Sequence, residues 1–358
     1  REGRPLFMMH ADDGYLSVVQ RIQYVGDHAP HHFKDAWDAL VFQEISNDQA
    51  RFHGTSIVQY AHHMRIFLTG ATGYIGRFLL HELDQKGFKH ITCLVRDPSS
   101  IHQQSSSLRV VKGDIVRPET YAEDLRGCDV IVHLAAAVGR AGEAEHFRVN
   151  VEGTRILLAA AEAAGVPHFL HVSSITVNFP QKCHSAYARS KERAEELVRF
   201  SSLDWAIVRP TIVLGPRSPW GARLRMLATL PLPLMFGSGR AHLQPVDVRD
   251  VVLFLTALLK EPLLSRETME LGGPEVLTFN DLIMRIRGKQ CPILHVPTGP
   301  IIAVLALMEK IFPLPLPFTA GQFYGLLYDT VAHSHPTVKR LLPVRRGLTS
   351  MLEESGGA

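Results

Sequence analysis

The sequence predicts an α/β protein built on a doubly wound parallel sheet, with a small α/β lobe towards the C-terminus. Three observations predict it. From Met64 onward, short aliphatic and β-branched runs alternate with segments of helical period. The runs are apolar almost throughout, as strands covered on both faces must be. The first of them passes directly into a glycine-spaced turn and an amphipathic helix, Thr69-Gly-Ala-Thr-Gly-Tyr-Ile-Gly76.

The elements follow in order. Strands are expected at Arg65–Thr69, His90–Val95, Leu108–Val111, Val130–Leu134, His168–Val172 and Trp205–Val208. Helices are expected at Tyr74–Gln85, Glu143–Ala164 and Ala186–Phe200. After Gly215, prolines at 216, 219, 231 and 233 suggest a long loop leaving the sheet. Val246–Leu259 reads as a helix returning to it. Thr278–Arg287 reads as a helix that Thr278 or Asn280 can cap. A Pro-rich stretch at 312–317 precedes another helix from about Thr319. The resulting organisation has four parts. Residues 1–63 are an extension of unassigned role. Residues 64–215 are the nucleotide-binding domain, joined by helix 246–260. Residues 216–245 and 261–335 form a substrate or partner lobe, and 336–358 a frayed tail.

Composition narrows the class. Of 358 residues, 46% are hydrophobic and 20% charged, which excludes disorder for most of the chain. The 38 basic and 35 acidic residues leave a net charge of only +3, too small an excess for a dedicated nucleic-acid surface. The four cysteines show no CxxC pair, so neither a disulfide framework nor a zinc site is expected. A reducing, cytoplasmic-type compartment fits this usage. Residues 1–10 do not read as a secretory signal. The apolar run 299–308 meets Glu309 and Lys310 well short of the roughly 20 residues a spanning helix needs. It reads as a core helix, or as an interfacial helix on a membrane or partner. Residues 1–63 hold seven of the 19 histidines, but no carboxylate or cysteine stands at ligand spacing, so no metal is expected. Met64 stands where an initiator methionine would be natural.

The glycine turn carries the first chemistry. Gly70, Gly73 and Gly76 let the backbone turn tightly and approach a pyrophosphate at the helix N-terminus. Thr72, Tyr74 and Ile75 share that turn and the first helical positions. The second strand ends beside Arg96. An arginine there favours the 2′-phosphate of NADP(H), whereas an acidic residue would take the 2′-hydroxyl of NAD(H). Asp97, one residue later, reads as a turn residue. NADP(H) is therefore expected in preference to NAD(H). Asp114 after the third strand can accept from an adenine amino group, with Ile115 against the ring. Ala135 and Ala136 after the fourth strand let the backbone run close to the cofactor. Tyr187 and Lys191, four apart on one helix, project together. A lysine beside a phenol lowers its pKa, so Tyr187 could exchange a proton with a substrate oxygen. Ser173-Ser174 at the end of the fifth strand could hold that oxygen.

These motifs resemble the short-chain dehydrogenase/reductase superfamily, in its extended or atypical branch of the NAD-dependent epimerase/dehydratase type. The resemblance spans about residues 64–330 and includes Asn150-Val-Glu-Gly-Thr154, Val208-Arg-Pro-Thr211 and Gln244–Asp250. It implies that Ser174 polarises the substrate oxygen and Tyr187 is the acid/base. It implies that Lys191 holds the nicotinamide ribose and that Pro210 and Thr211 border the nicotinamide. Gly272–Phe279 and the later Pro-Leu-Pro-Phe-Thr319 are similar to the branch around the Rossmann-type accessory subunit of respiratory complex I. The implied function is NADP(H)-dependent oxidoreduction of a small molecule. Sugar-nucleotide epimerisation or dehydration is one alternative. The other is a non-turnover subunit that holds NADPH and meets a membrane or protein complex through its C-terminal lobe.

Overall fold

The computed structural model of the chain describes residues 63–103, 105–139, 141–261, 266–299 and 325–353. The N-terminal extension, the apolar run beyond Gly299, the 312–317 prolines and the helix expected from Thr319 lie outside these residues.

The main sheet has seven strands: β1 (Arg65–Thr69), β2 (His90–Val95), β3 (Leu108–Lys112), β4 (Val130–His133), β5 (His168–Val172), β6 (Asp204–Pro210) and β7 (Glu267–Leu271). Their spatial order is β3-β2-β1-β4-β5-β6-β7, and every pairing is parallel. The chain reverses its direction of travel across the sheet between β1 and β4. Ligands of doubly wound sheets bind at such a reversal, outside the carboxyl ends of the strands.

Alternation along each strand feeds two separate cores. Ile66 and Leu68 point to one face, under α1 (Tyr74–Gln85) and α6 (Val248–Leu258). Phe67, Ile131, Phe169 and Ile207 point to the other, under α3 (Gly153–Ala164) and α4 (Ala186–Phe200), which supply Leu157 and Val198. A third core forms the smaller lobe. Leu224 and Ala228 of α5 (Pro219–Thr229) meet Leu282 and Ile283 of α7 (Phe279–Arg287), together with Leu243 and Met351.

Four expectations need correction. The segment Glu143–Ala164 is not one uniform helix: α2 (Glu143–His146) passes through a π-helical turn at Phe147–Glu152 before α3. The proline cluster does not mark a plain loop, because Pro219 sits at the start of α5 and Ser218 caps it through Gly221 N–H. Proline is suited to that position, where its missing N–H would have no helical partner. A seventh strand, Glu267–Leu271, is not apparent in the sequence because only Met269 and Leu271 are buried on this edge strand. Finally, residues 336–353 are not frayed. The helix α8 (Pro336–Leu341) buries Val338 against the main core, and α9 (Leu348–Glu353) buries Leu348 and Met351 in the lobe. Arg346 fastens this stretch to the buried Asp250 by both its backbone N–H and its guanidinium.

Candidate functional site

The glycine turn closes through contacts that leave no room for side chains. Gly70 has φ +76°, and a Cβ there would lie 2.6 Å from the Ala135 nitrogen. A Cβ on Gly76 would lie 2.1 Å from the Gly70 carbonyl oxygen. The first turn of α1 has Gly73 at its N-cap, with no side-chain cap and no acidic residue. Its free N–H groups and positive dipole end therefore suit an anion. Thr69 ties the turn to β4: its Oγ accepts from Ala135 N–H at 3.2 Å and pairs with His133 Nδ1 at 2.7 Å. Thr72 and Gly73 reach solvent at the mouth of the turn. Tyr74 and Ile75 are more structural than expected. The Tyr74 hydroxyl donates to Leu214 O at 3.2 Å, and Ile75 packs on the main core.

At the tip of β2, Arg96 is exposed, and no hydrogen bond or ion pair engages it among the described residues. Asp97 is occupied elsewhere: it accepts from Ser99 N–H at 3.0 Å and from the Ser99 hydroxyl. Those bonds hold its carboxyl below the usual range. Asp114 is half-buried beside the cleft, 3.8 Å from Arg148. Ile115 is buried, where Gly153 lets α3 close over it. It belongs to the hydrophobic core and does not present a free face to a ring. Ala135 and Ala136 line the chain leaving β4, half-buried.

The structure brings Ser174 and Tyr187 together at the end of β5. Their hydroxyls interact, and Ser174 Oγ also accepts from Thr176 N–H at 3.3 Å. Burial raises the Tyr187 phenol, and the Ser174 contact offsets part of that. The expected lowering by Lys191 is not among these influences, because the Lys191 ammonium turns towards the sheet. It donates to Val172 O at 2.8 Å and lies 3.4 Å from His171 Nε2. Burial brings the Lys191 amine down to about 8, with Glu195 pulling the other way. Pro210 is buried at the end of β6, and Thr211 donates to Gln244 O.

Three residues of this site were not assigned a role from sequence. Asn150, in the π-helical turn, accepts from Ala137 N–H at 2.7 Å and donates to Ala137 O and Ser190 Oγ. It thus joins the cofactor-side loop to the helix that carries Tyr187. His146 sets its ring edge against Tyr187, with centroids 5.7 Å apart. His171 lies beneath Lys191. A polar residue where a helix should be apolar was the available signal for Asn150. The two histidines gave none, since nothing in their spacing separates them from surface ones. Among the described residues, no cluster of His, Cys, Asp or Glu could hold a metal, and no helix is long and apolar enough to cross a membrane.

A glycine cradle with no room for Cβ atoms, an uncapped helix end and a free arginine fit a pyrophosphate-containing dinucleotide. They define a nucleotide-binding Rossmann protein. Residues 70–221 match the NAD(P)H-binding family NAD_binding_10. Those residues therefore form an NAD(P)H-binding domain, and the comparisons beyond it are likenesses. It is similar to the ceramide reductase of Caulobacter vibrioides, 28% identical over 79% of this chain and 90% of that protein. It is also similar to the mitochondrial NADH dehydrogenase (ubiquinone) 1 alpha subcomplex subunit 9 of Arabidopsis thaliana, 28% identical over 73% of this chain and 69% of that one. In structure it resembles the dTDP-glucose 4,6-dehydratase of Streptomyces venezuelae, solved with NAD. That likeness has a TM-score of 0.64 and 22% identity, over 82% of this chain and 95% of that one.

Proposed function

We propose that this protein is an NADP(H)-dependent oxidoreductase in which Tyr187 exchanges a proton with an oxygen of a small-molecule carbonyl or alcohol. The observation that carries the reading is the meeting of Ser174 and Tyr187 past the carboxyl end of β5. When bound, the nicotinamide supplies or accepts the hydride. The chain's residues do the rest. The Gly70–Gly76 turn and the α1 N-terminus hold the pyrophosphate. Arg96 meets the 2′-phosphate, and Asp114 the adenine. Ser174 donates to the substrate oxygen and orients it towards the Tyr187 hydroxyl. Tyr187 gives that oxygen a proton as a carbonyl is reduced, and takes it back in the reverse direction. Lys191 holds the ribose, and Pro210 borders the nicotinamide.

Tyr187→Phe keeps the ring and removes only the hydroxyl. A panel of ketones and aldehydes assayed with NADPH should show a rate lower by about 10²–10⁴-fold, with cofactor affinity near normal. An active enzyme unaffected by this substitution would rule the mechanism out. A second reading, a subunit that holds NADPH without turnover, draws on Lys191, whose ammonium is engaged with the sheet and not with Tyr187. The similarity to a complex I subunit points the same way. Tight NADPH binding with no turnover across the panel would favour it. The sugar-nucleotide alternative rests on likeness of fold, and the same assay extended to nucleotide sugars tests it.

A further inference from the structure

The buried amine of Lys191 has two neighbours below it on the sheet, Val172 O and His171 Nε2. Lys191 is 2% exposed and His171 0%. The carbonyl can only accept, so it serves the amine through an N–H in either charge state. The imidazole is different. Its Nε2 faces the amine, while its Nδ1 is buried without a hydrogen-bond partner among the described residues. Desolvation, with the Lys191 ammonium and the Arg199 guanidinium adding positive potential, holds His171 neutral. A neutral imidazole carries one proton on either nitrogen. With its proton on Nδ1, the ring keeps Nε2 as an acceptor, and both the ammonium and the neutral amine have an N–H to give it. In either charge state one proton lies between Nε2 and Nζ, so the contact survives loss of the lysine's charge.

We propose that His171 is a positioning residue that seats the Lys191 amine in both of its charge states, its Nε2 accepting an N–H from either. The surroundings suit this role. His133 and Phe169 lie together beside His171, at 5.2 and 6.4 Å from it and 5.7 Å from each other. His133 is itself locked, with Nδ1 at Thr69 Oγ and Nε2 3.0 Å from Thr154 Oγ. Burial, with Lys191 adding, brings it down to about 3. His133 is thus neutral across the working range and competes for no proton. Glu195, on the same helix as Lys191, is engaged by Arg209 and Arg199. Two donors of the ammonium are spent on the strand, and the third remains for a ligand above it. His171 therefore sets where that third donor points.

The proposal rests on reading Lys191 as the residue that holds the cofactor, so its test reads binding as well as activity. NADPH affinity would be measured by fluorescence from pH 6 to 9.5 for wild type, His171→Phe and His171→Gln. The same titration would be run on Lys191→Met and on the double variant His171→Phe/Lys191→Met. Phenylalanine keeps the stacked ring but offers Nζ nothing. Glutamine can both accept and donate. We expect His171→Phe to weaken NADPH binding by about tenfold and to alter its pH profile near 8. His171→Gln should recover most of the affinity, and His171→Phe should change nothing further in the Lys191→Met background. The idea is overturned if a folded His171→Phe binds with wild-type affinity and pH profile, or if the two substitutions simply add. Should Tyr187→Phe leave an activity intact while this cycle couples, the catalytic reading fails and the seat stands. Should His171→Phe bind like wild type while Tyr187→Phe abolishes activity, the reverse holds.

Discussion

At the scale of single residues, charge placement underlies the proposed cofactor preference and part of the stability. Arg96 is exposed and unengaged, whereas the neighbouring Asp97 is spent on Ser99. This local division of labour favours a 2′-phosphate over a 2′-hydroxyl. A charge-assisted arginine–phosphate contact contributes about 1.5–3 kcal/mol, so NADPH should bind roughly 10- to 150-fold more tightly than NADH. Arg96→Ala should level the two affinities in a calorimetric titration. Equal affinities in the wild type would refute the assignment. Glu195 shows the same logic inside the fold. It is fully buried, and burial alone would raise its carboxyl, but Arg209 and Arg199 more than offset that and hold it low. The unfolded chain, with its glutamate near 4.3, therefore takes up this proton first on acidification. Stability from Glu195 is complete above that value and declines as pH falls through the lower folded one. Glu195→Gln removes the two-point carboxylate partner of Arg209, which keeps the looser contact with Glu270 at 3.4 Å, and should cost about 1.5–3 kcal/mol. Urea unfolding at pH 7 and pH 4 would check both the cost and its decline.

At the scale of elements, the β1–turn–α1 unit was the most legible part of the chain. Its strand, glycine spacing and helix each obey a local rule, and the bounds of both strand and helix match expectation. The glycines have separate tasks. Gly76 permits contact with the Gly70 carbonyl, a backbone atom that cannot rotate aside. Gly76→Ala should therefore abolish NADPH binding and lower stability by about 1–3 kcal/mol, read by fluorescence titration and thermal melting. A variant that binds normally would show the turn to be more pliant than its contacts imply. The π-helical turn at Phe147–Glu152 was illegible. Its apolar pattern is that of an ordinary helix, and only the contacts of Asn150 with Ala137 and Ser190 across the fold select the extra residue in that turn. Ile115 likewise looked like a cofactor contact because it follows Asp114, yet α3 closes over it.

At the scale of the whole molecule, the C-terminal segment joins the lobe to the main domain. Val338 and Leu342 complete the main core, Leu348 and Met351 the lobe core, and Arg346 neutralises the buried Asp250. Deleting residues 336–358 should expose both cores and leave Asp250 unpaired. We expect aggregation, or a melting temperature lowered by more than about 10 °C. A chain starting at Met64 should by contrast bind NADPH like the full one, since every cofactor residue named here follows it. Loss of binding in that truncation would show that residues 1–63 contribute to the site.

The sequence alone determined what depends on neighbours along the chain. Strand and helix period, glycine spacing and the Tyr187–Lys191 interval are local, and from them came the doubly wound sheet, the dinucleotide turn and the proposal of Tyr187 as acid/base. The tertiary structure decided what depends on residues far apart. It placed Ser174 against Tyr187, turned Lys191 onto His171 and Val172, gave Asn150 its clamp and folded a basic, glycine-ended tail into two cores. These outcomes arise from burial and hydrogen-bond completion between segments that can lie about a hundred residues or more apart, as with Arg346 and Asp250 or Tyr74 and Leu214. A buried polar group must find a partner wherever the fold supplies one, and no local pattern records which partner that is.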